Sequence, residues 1–192
     1  MQKKIIFFIY IVIIIFLVIY SPLVMSVEAV RYDPGLNWQV LESPHFSVYF
    51  YKQQNKDISS SNNPTYGQLA QQIADIAEET HQQVNTQLGP PKHHHLQKIA
   101  IIMKDFSDYA LGFASSFPHR VIRLSLTAPT AKSFDMKFKS WLKIIITHEY
   151  THLAHFEMTA GPTTALRALF GQILLPNALQ PIWSIEGLAV YN

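Results

Sequence analysis

Three histidines and a glutamate stand inside the apolar stretch IITHEYTHLAHF, which runs from Ile145 to Phe156. His148 and His152 are four residues apart, so on a helix both imidazoles lie on one face, one turn apart, and can bind one metal ion. Glu149 lies about 100° around the helix from His148, where a general base for a metal-activated water is needed. The alternative is a buried core helix whose histidines hydrogen-bond to backbone or carboxylate groups. The spacing favours the metal site.

A catalytic zinc site usually takes three protein ligands, so the histidine pair needs one more. His155 lies on the same face but about 10 Å along the axis from His148, too far for one ion. The pattern H-E-x-x-H-x-x-G-x-x-H is absent, because His155 takes its glycine position and Met158 its last histidine position. Glu186 is the only carboxylate side chain beyond Met158, and we expect it in the first turn of a helix, where the dipole favours an anion. We predict that His148, His152 and Glu186 bind Zn²⁺; an exposed first-turn glutamate is the alternative.

The composition excludes several classes of site. The chain has 192 residues, 48% of them hydrophobic, which is enough for one domain with a core. The net charge is +2 and the basic residues are scattered, so we expect no nucleic-acid partner. The chain contains no cysteine, which excludes disulfides, thiolate metal ligands and a thiol nucleophile.

Residues 1–29 are predicted to be a signal peptide or an N-terminal membrane anchor. The basic start MQKK precedes an apolar stretch from Ile5 to Val27 that carries no charged residue. Val27 and Ala29 fit the small-residue pattern of a secretory cleavage site, whereas an uncleaved stretch of this length would span the membrane through residues 5–27. In both cases we expect the remaining domain, residues 30–192, to be exported to the periplasm or the extracellular space.

Hydrophobic periodicity predicts the elements that position these residues. We expect a strand or hairpin over 37–51, strands over 98–105 and 120–129, and a loop over 107–119. We expect a long amphipathic helix from Pro64 to Gly89, and a helix from Ser133 or Asp135 to Gly161 that carries the histidines. Strands followed by helices predict an α+β domain.

The C-terminal segment is predicted to be helical. We expect an apolar helix over 163–175 to cover the core, with contact to a membrane or a partner as the alternative. A turn at Pro176 leads to a final helix that carries Glu186. Gly187 and Ala189 are small residues, and we expect these to let that helix approach the histidine helix closely.

The motif HEYTH followed by P-x-W-S-x-E-G-x-A-x-Y resembles the peptidase MA-like (gluzincin) domains of exported bacterial proteins, which often precede a TolB-like β-propeller. The resemblance covers about residues 37–192 and implies a zincin-like fold. In that fold a small mixed sheet packs on a long helix and on the H-E-x-x-H helix, and we expect the helical C-terminal part to be truncated in this chain. It implies that His148, His152 and Glu186 bind zinc, that Glu149 is the catalytic base, and that the strand over 120–126 is the sheet edge along which a peptide lies.

These patterns together predict a zinc metallopeptidase that hydrolyses a peptide or protein substrate. The alternative is a non-catalytic exported interaction or scaffold domain with a structural or vestigial zinc site. Members of the family usually steady the oxyanion with a later Tyr or His, for which Tyr191 is the candidate here. We expect His155 to support a ligand, to face the substrate or simply to be packed in the core. Any downstream β-propeller would be missing from this chain.

Overall fold

The computed structural model describes residues 10–11, 35–51, 65–89, 97–105, 111–126, 138–173 and 175–191. The chain divides into two compact units, Met1–Gly35 and Leu36–Asn192. Apart from the helical residues Tyr10 and Ile11, the predicted signal or anchor segment lies outside the described residues. Among the helices of the described residues, none combines the length and the apolar character needed to cross a bilayer.

Five strands of the described residues form one mixed sheet in the order β1-β2-β3-β5-β4. Their bounds are Trp38–Glu42 (β1), Phe46–Tyr51 (β2), Ile99–Lys104 (β3), Gly112–Ser115 (β4) and Val121–Ser125 (β5). Strands β2, β3 and β5 are parallel, and β1 and β4 run antiparallel to their neighbours. The two edges of the sheet are therefore β1 and β4.

In the described residues, one of four α-helices lies between β2 and β3 in the sequence, and the other three follow β5. The four helices are Tyr66–Leu88 (α1), Phe138–Glu157 (α2), Pro162–Phe170 (α3) and Ile182–Tyr191 (α4), with short 3₁₀ turns at Gly171–Ile173 and Pro176–Leu179. The described residues thus form a mixed α+β domain, which confirms the predicted fold class at this level.

One face of the sheet and the inner faces of α1 and α2 form the core. In β2 and β3 every second side chain is buried, which is the pattern of a sheet covered on one side. The largest side chains with almost no exposure come from the sheet and both helices: Phe46, Ile73, Ile99, Ile101, Met103, Ile122, Leu124, Leu142, Ile146, Tyr150 and Leu153. The apolar face of the predicted long helix is therefore covered by the sheet and α2, as expected.

Helix α1 begins and ends at residues suited to those positions. The Thr65 hydroxyl accepts a hydrogen bond from the Gln68 backbone N–H, and the Gln68 side chain accepts one from the Thr65 N–H, which is a capping box. At the other end Gly89 has φ of +84°, a conformation that favours glycine, and donates its N–H to Asn85 O.

Two sequence predictions about the sheet are wrong. The segment predicted as a loop over 107–119 contains the edge strand β4. Strand β5 is paired on both sides, with β3 and with β4, so the strand over 120–126 is not the sheet edge. A four-residue strand carries too little alternation to be recognised, and without it the next strand looks like the edge.

Candidate metal centre

Helix α2 presents the two predicted histidine ligands side by side. The Nε2 atoms of His148 and His152 are 3.1 Å apart, and their rings meet nearly at right angles. The opposite face of the same turn is anchored in the domain, because the Tyr150 hydroxyl forms hydrogen bonds with His81 Nδ1 at 2.7 Å and with Asn85 Oδ1 at 3.3 Å. These bonds to α1, together with burial of the Tyr150 ring, set the roll of α2 about its axis.

The third predicted ligand arrives on α4 through the turn that precedes it. Asn177 donates hydrogen bonds from Nδ2 to the backbone oxygens of His155, at 2.7 Å, and Met158, at 3.0 Å. Carbonyl groups at a helix C-terminus lack hydrogen-bond partners within the helix. The Asn177 side chain donates hydrogen bonds to two such groups at the end of α2. The chain then turns back, so that α4 packs along α2 and Glu186 Oε2 lies 3.3 Å from His148 Nε2 and 3.6 Å from His152 Nε2.

The position of Glu186 in its helix differs from the prediction. Helix α4 begins at Ile182, so Glu186 stands in the second turn and no acidic residue lies in the first. The dipole argument for an anion in the first turn is therefore wrong, since that effect is confined to the helix end. What places the carboxylate is the packing of α4 against α2.

Three donor atoms thus form a potential metal-binding group: His148, His152 and Glu186 lie within 4.8 Å of one another, the only such group of three or more in the described part of the chain. A circle through atoms 3.1, 3.3 and 3.6 Å apart has a radius of about 1.9 Å, just below the Zn–N and Zn–O distances of about 2.0–2.1 Å. Donor atoms about 2.05 Å from one tetrahedral zinc ion would lie about 3.3–3.4 Å from one another, close to these separations. The residues present therefore fit a single ion that His148, His152 and Glu186 would hold together.

The surroundings favour the neutral imidazole that a ligand must be. Burial lowers the pKa of His152, and the neighbouring His148 and His155 lower it further, while the charge of Glu186 opposes the change. The His152 ring stacks on Phe156 with centroids 5.8 Å apart and an angle of 10°, which orients it. Its Nδ1 is buried and makes no hydrogen bond to the described residues, so packing rather than a hydrogen bond holds this ring in place.

Glu149 is a buried carboxylate beside this group, with 6% of its surface exposed. Burial raises the pKa of Glu149 to about 7, and the charge of Glu186 adds to the rise. The edge strand β4 runs directly over it: a Cβ atom built on Gly112 would lie 2.7 Å from Glu149 Cγ and 2.8 Å from Cδ. Any other residue at position 112 would therefore require the Glu149 side chain or β4 to shift.

The other two predicted residues lie near the group without joining it. His155 is buried, and its Nδ1 has no hydrogen-bond partner among the described residues. Tyr191 is 88% exposed and, with His148 and Ala189, lines a cavity of about 490 Å³ between α2 and α4. Tyr191 thus shares this cavity with the predicted ligand His148.

Sequence reasoning missed two residues that build the site. Gly112 stood in the predicted loop, and only the pairing of β4 with β5 reveals that it faces Glu149. Asn177 follows directly on the turn predicted at Pro176, but its two bonds to the end of α2 depend on how the chain folds back. A Pro-Asn pair between helices predicts a turn, but it does not predict which backbone groups the Asn side chain will bind.

Comparison of the chain with protein-family models, with curated proteins and with solved structures finds no match. The resemblance to peptidase MA-like domains therefore stays a prediction from the sequence motifs.

Proposed function

We propose that this chain is a zinc-dependent metallopeptidase domain of the zincin-like, peptidase MA-like class. The observation that carries the proposal is the triangle of His148, His152 and Glu186 donor atoms with the buried carboxylate of Glu149 beside it. Two imidazoles and one carboxylate are a donor set of catalytic zinc sites, which keep one position open. Structural sites usually fill all four positions with protein ligands, so a group with three ligands in the described part of the chain argues against the scaffold alternative.

Glu149 has the place of the proton carrier in this mechanism. A bound zinc ion would act as a Lewis acid toward a water and a peptide carbonyl. The Glu149 carboxylate accepts a proton from the attacking water and returns it to the nitrogen of the leaving amine. Burial raises the pKa of Glu149, which makes its carboxylate a better proton acceptor; a bound cation would oppose that rise.

The edge strand β4 supports a peptide as the substrate. Within the described residues, one side of β4 pairs with β5 and the other is a sheet edge, which an extended chain can join through backbone hydrogen bonds. Gly112, on this strand, contacts Glu149, so a peptide added to β4 would lie beside the proposed base. This role replaces the one that the sequence assigned to the strand over 120–126.

We further propose that the domain acts outside the cytoplasm, in the periplasm or beyond. The support is the sequence of residues 1–29, with its basic start and uncharged apolar stretch. An absence of cysteine is compatible with export and does not require it.

Two substitutions separate the assigned roles. Glu149→Gln should leave one zinc per chain and lower the rate of peptide hydrolysis by about 10²–10⁴-fold, the usual contribution of a general base. Glu186→Ala should reduce zinc affinity by at least about 100-fold. Removing a residue that only hydrogen-bonds to a metal ligand already lowers affinity by about 10–100-fold, and Glu186 is proposed to be a ligand itself. Elemental analysis of the full chain after zinc loading, and cleavage of a quenched fluorescent peptide library, measure the two effects.

Glu79→Gln is the matched control, since Glu79 is an exposed carboxylate on α1 and should affect neither measurement. A parent chain that takes up no zinc after supplementation would overturn the proposal. Cleavage by Glu149→Gln at the parent's rate would overturn the assignment of the base.

A further inference from the structure

Helix α3 is oriented opposite to the usual arrangement of a surface helix. Its apolar residues and those of the following turn share one face, at spacings of three, four and seven residues. All four are exposed, and we call them the apolar stripe: Leu166 (45%), Leu169 (79%), Phe170 (60%) and Ile173 (62%). The one buried residue of α3 is Arg167, at 4%. The prediction that this helix covers the core is therefore wrong.

Buried charges hold α3 in this orientation. Arg167 NH1 donates a hydrogen bond of 2.9 Å to the backbone oxygen of Glu157, the last residue of α2, where a cation is favoured by the helix dipole. The Glu157 carboxylate in turn pairs with Arg120 at 2.9 Å, and both side chains are buried. Rolling α3 to bury its stripe would withdraw Arg167 and take this donor from the buried backbone oxygen of Glu157, so the outward stripe is a property of the folded domain.

If the N-terminal segment anchors the chain in a bilayer, the bilayer itself can cover the apolar stripe of α3. The stretch Ile5–Val27 carries no charge and is long enough to cross the hydrocarbon layer. Ten residues, 28–37, separate it from β1, and a fully extended chain of that length reaches about 35 Å. A domain held at this distance meets the membrane at a high effective concentration.

The chemistry of the segment matches lipid rather than an ionic partner. Between residues 162 and 191 the only charged side chains are Arg167, which is buried, and Glu186. Ile182 and Trp183, which precede Glu186 on α4, are exposed as well, at 77% and 78%. Aromatic and aliphatic side chains without nearby charges enter the boundary between head groups and acyl chains.

We propose that the apolar stripe of α3 lies in the lipid bilayer to which residues 5–27 anchor the chain. The inference relies on the anchor alternative for the N-terminal segment and is independent of zinc binding. Because the stripe is uncharged, its insertion requires no anionic lipid and resists salt.

Spin labels on single cysteines test this directly, because the chain has no cysteine of its own. The full chain is reconstituted in phosphatidylcholine vesicles with a nitroxide at Leu169→Cys or Ile173→Cys, and at Val40→Cys on β1 as the exposed control. Collisions with oxygen, which concentrates in lipid, and with chromium oxalate, which stays in water, are measured by power saturation. We expect labels 169 and 173 to lose collisions with chromium oxalate and keep those with oxygen, and label 40 to keep both.

Further arms make the outcome decisive. Adding Leu166→Ser and Phe170→Ser, both at exposed positions, should return label 169 to water, whereas anionic lipid or added salt should change nothing. Labels that chromium oxalate reaches freely would overturn the proposal. Labels protected from both agents would also overturn it, and dipolar broadening would then identify a second copy of the chain as the cover. Zinc content and peptidase activity of the same samples show whether the proposed function fails separately.

Discussion

At the scale of single residues, the proposed base depends on the absence of a side chain in a neighbouring strand. Gly112 lies so close to Glu149 that an added methyl group would overlap the carboxylate. Gly187, next to the ligand Glu186, is different: a Cβ atom there would meet nothing within 4 Å. The expectation that Gly187 is needed for close approach of α4 is therefore wrong, whereas Ala189 is buried at 4%.

Gly112→Ala and Gly187→Ala form a matched pair. Gly112→Ala should displace Glu149 or β4 and reduce peptidase activity strongly, with zinc content retained, because no ligand is touched. Gly187→Ala should leave activity in place and stabilise the domain by about 0.5–1 kcal/mol, since alanine favours a helix over glycine. Hydrolysis rates and urea unfolding check both. Full activity in Gly112→Ala would show that Glu149 is not confined by β4.

At the scale of elements, α1 is tied to the turn between β1 and β2 through one carboxylate. Glu78 accepts hydrogen bonds from the Ser43 hydroxyl at 2.6 Å and from the His45 backbone N–H at 2.9 Å, and its other oxygen lies 2.6 Å from His45 Nδ1. Burial alone would raise the pKa of Glu78, but the hydrogen bonds from His45 and Ser43 outweigh it and lower the pKa.

A lowered pKa predicts how this link responds to acid. The charged carboxylate is stabilised in the folded state, so its contribution is present above the unfolded pKa of about 4.3 and is lost as pH falls through the folded pKa. Glu78→Gln should therefore lower the free energy of unfolding by about 1–2 kcal/mol at pH 7, with a smaller difference at pH 3.5. Urea unfolding at both pH values measures it.

The neighbouring Glu79→Gln is the control for this experiment. Glu79 pairs with Lys143 at 2.7 Å, but both side chains are exposed, and such pairs contribute about 0–1 kcal/mol. A parent–variant difference for Glu78→Gln that does not shrink in acid would contradict the predicted role of its charge.

At the scale of the whole molecule, the metal group joins two helices that are distant in the sequence. His148 and His152 belong to α2 and Glu186 to α4, so an ion would link the core of the domain to its C-terminal segment. A ligand that binds only the folded state stabilises it, by about 2.7 kcal/mol at 100 times its dissociation constant.

We expect zinc to raise the thermal unfolding midpoint of the chain and a chelator to reverse the rise. Differential scanning fluorimetry over a zinc titration measures it, with magnesium as the cation control, because magnesium prefers oxygen ligands. Glu186→Ala should remove most of the dependence on zinc. A midpoint that zinc leaves unchanged in the parent would contradict binding to the folded state.

Much of the fold could be predicted because each signal was local. The long helix over 66–88 has caps and regularly spaced apolar residues. Strand β3 is an apolar run of strand length, and β2 and β5 alternate between apolar and more polar residues. Strand β4 escaped prediction because four residues carry almost no periodicity and its pairing with β5 is a tertiary contact. The orientation of α3 escaped for a related reason: an apolar stripe predicts burial, but here the bond from Arg167 to the buried backbone oxygen of Glu157 turns the other face of the helix inward, and that bond is a tertiary contact.

By itself, the sequence determined the chemistry that the site can offer. The spacing of His148 and His152 puts both imidazoles on one helix face whatever the rest of the chain does, because helical periodicity is local. The sequence also excluded thiolate ligands, because it contains no cysteine, and it left Glu186 as the only candidate carboxylate ligand beyond Met158. The tertiary structure decided the geometry: the capping of α2 by Asn177, the packing of α4 on α2 and the passage of Gly112 over Glu149. Distances between donor atoms on different helices depend on packing, which no local pattern specifies.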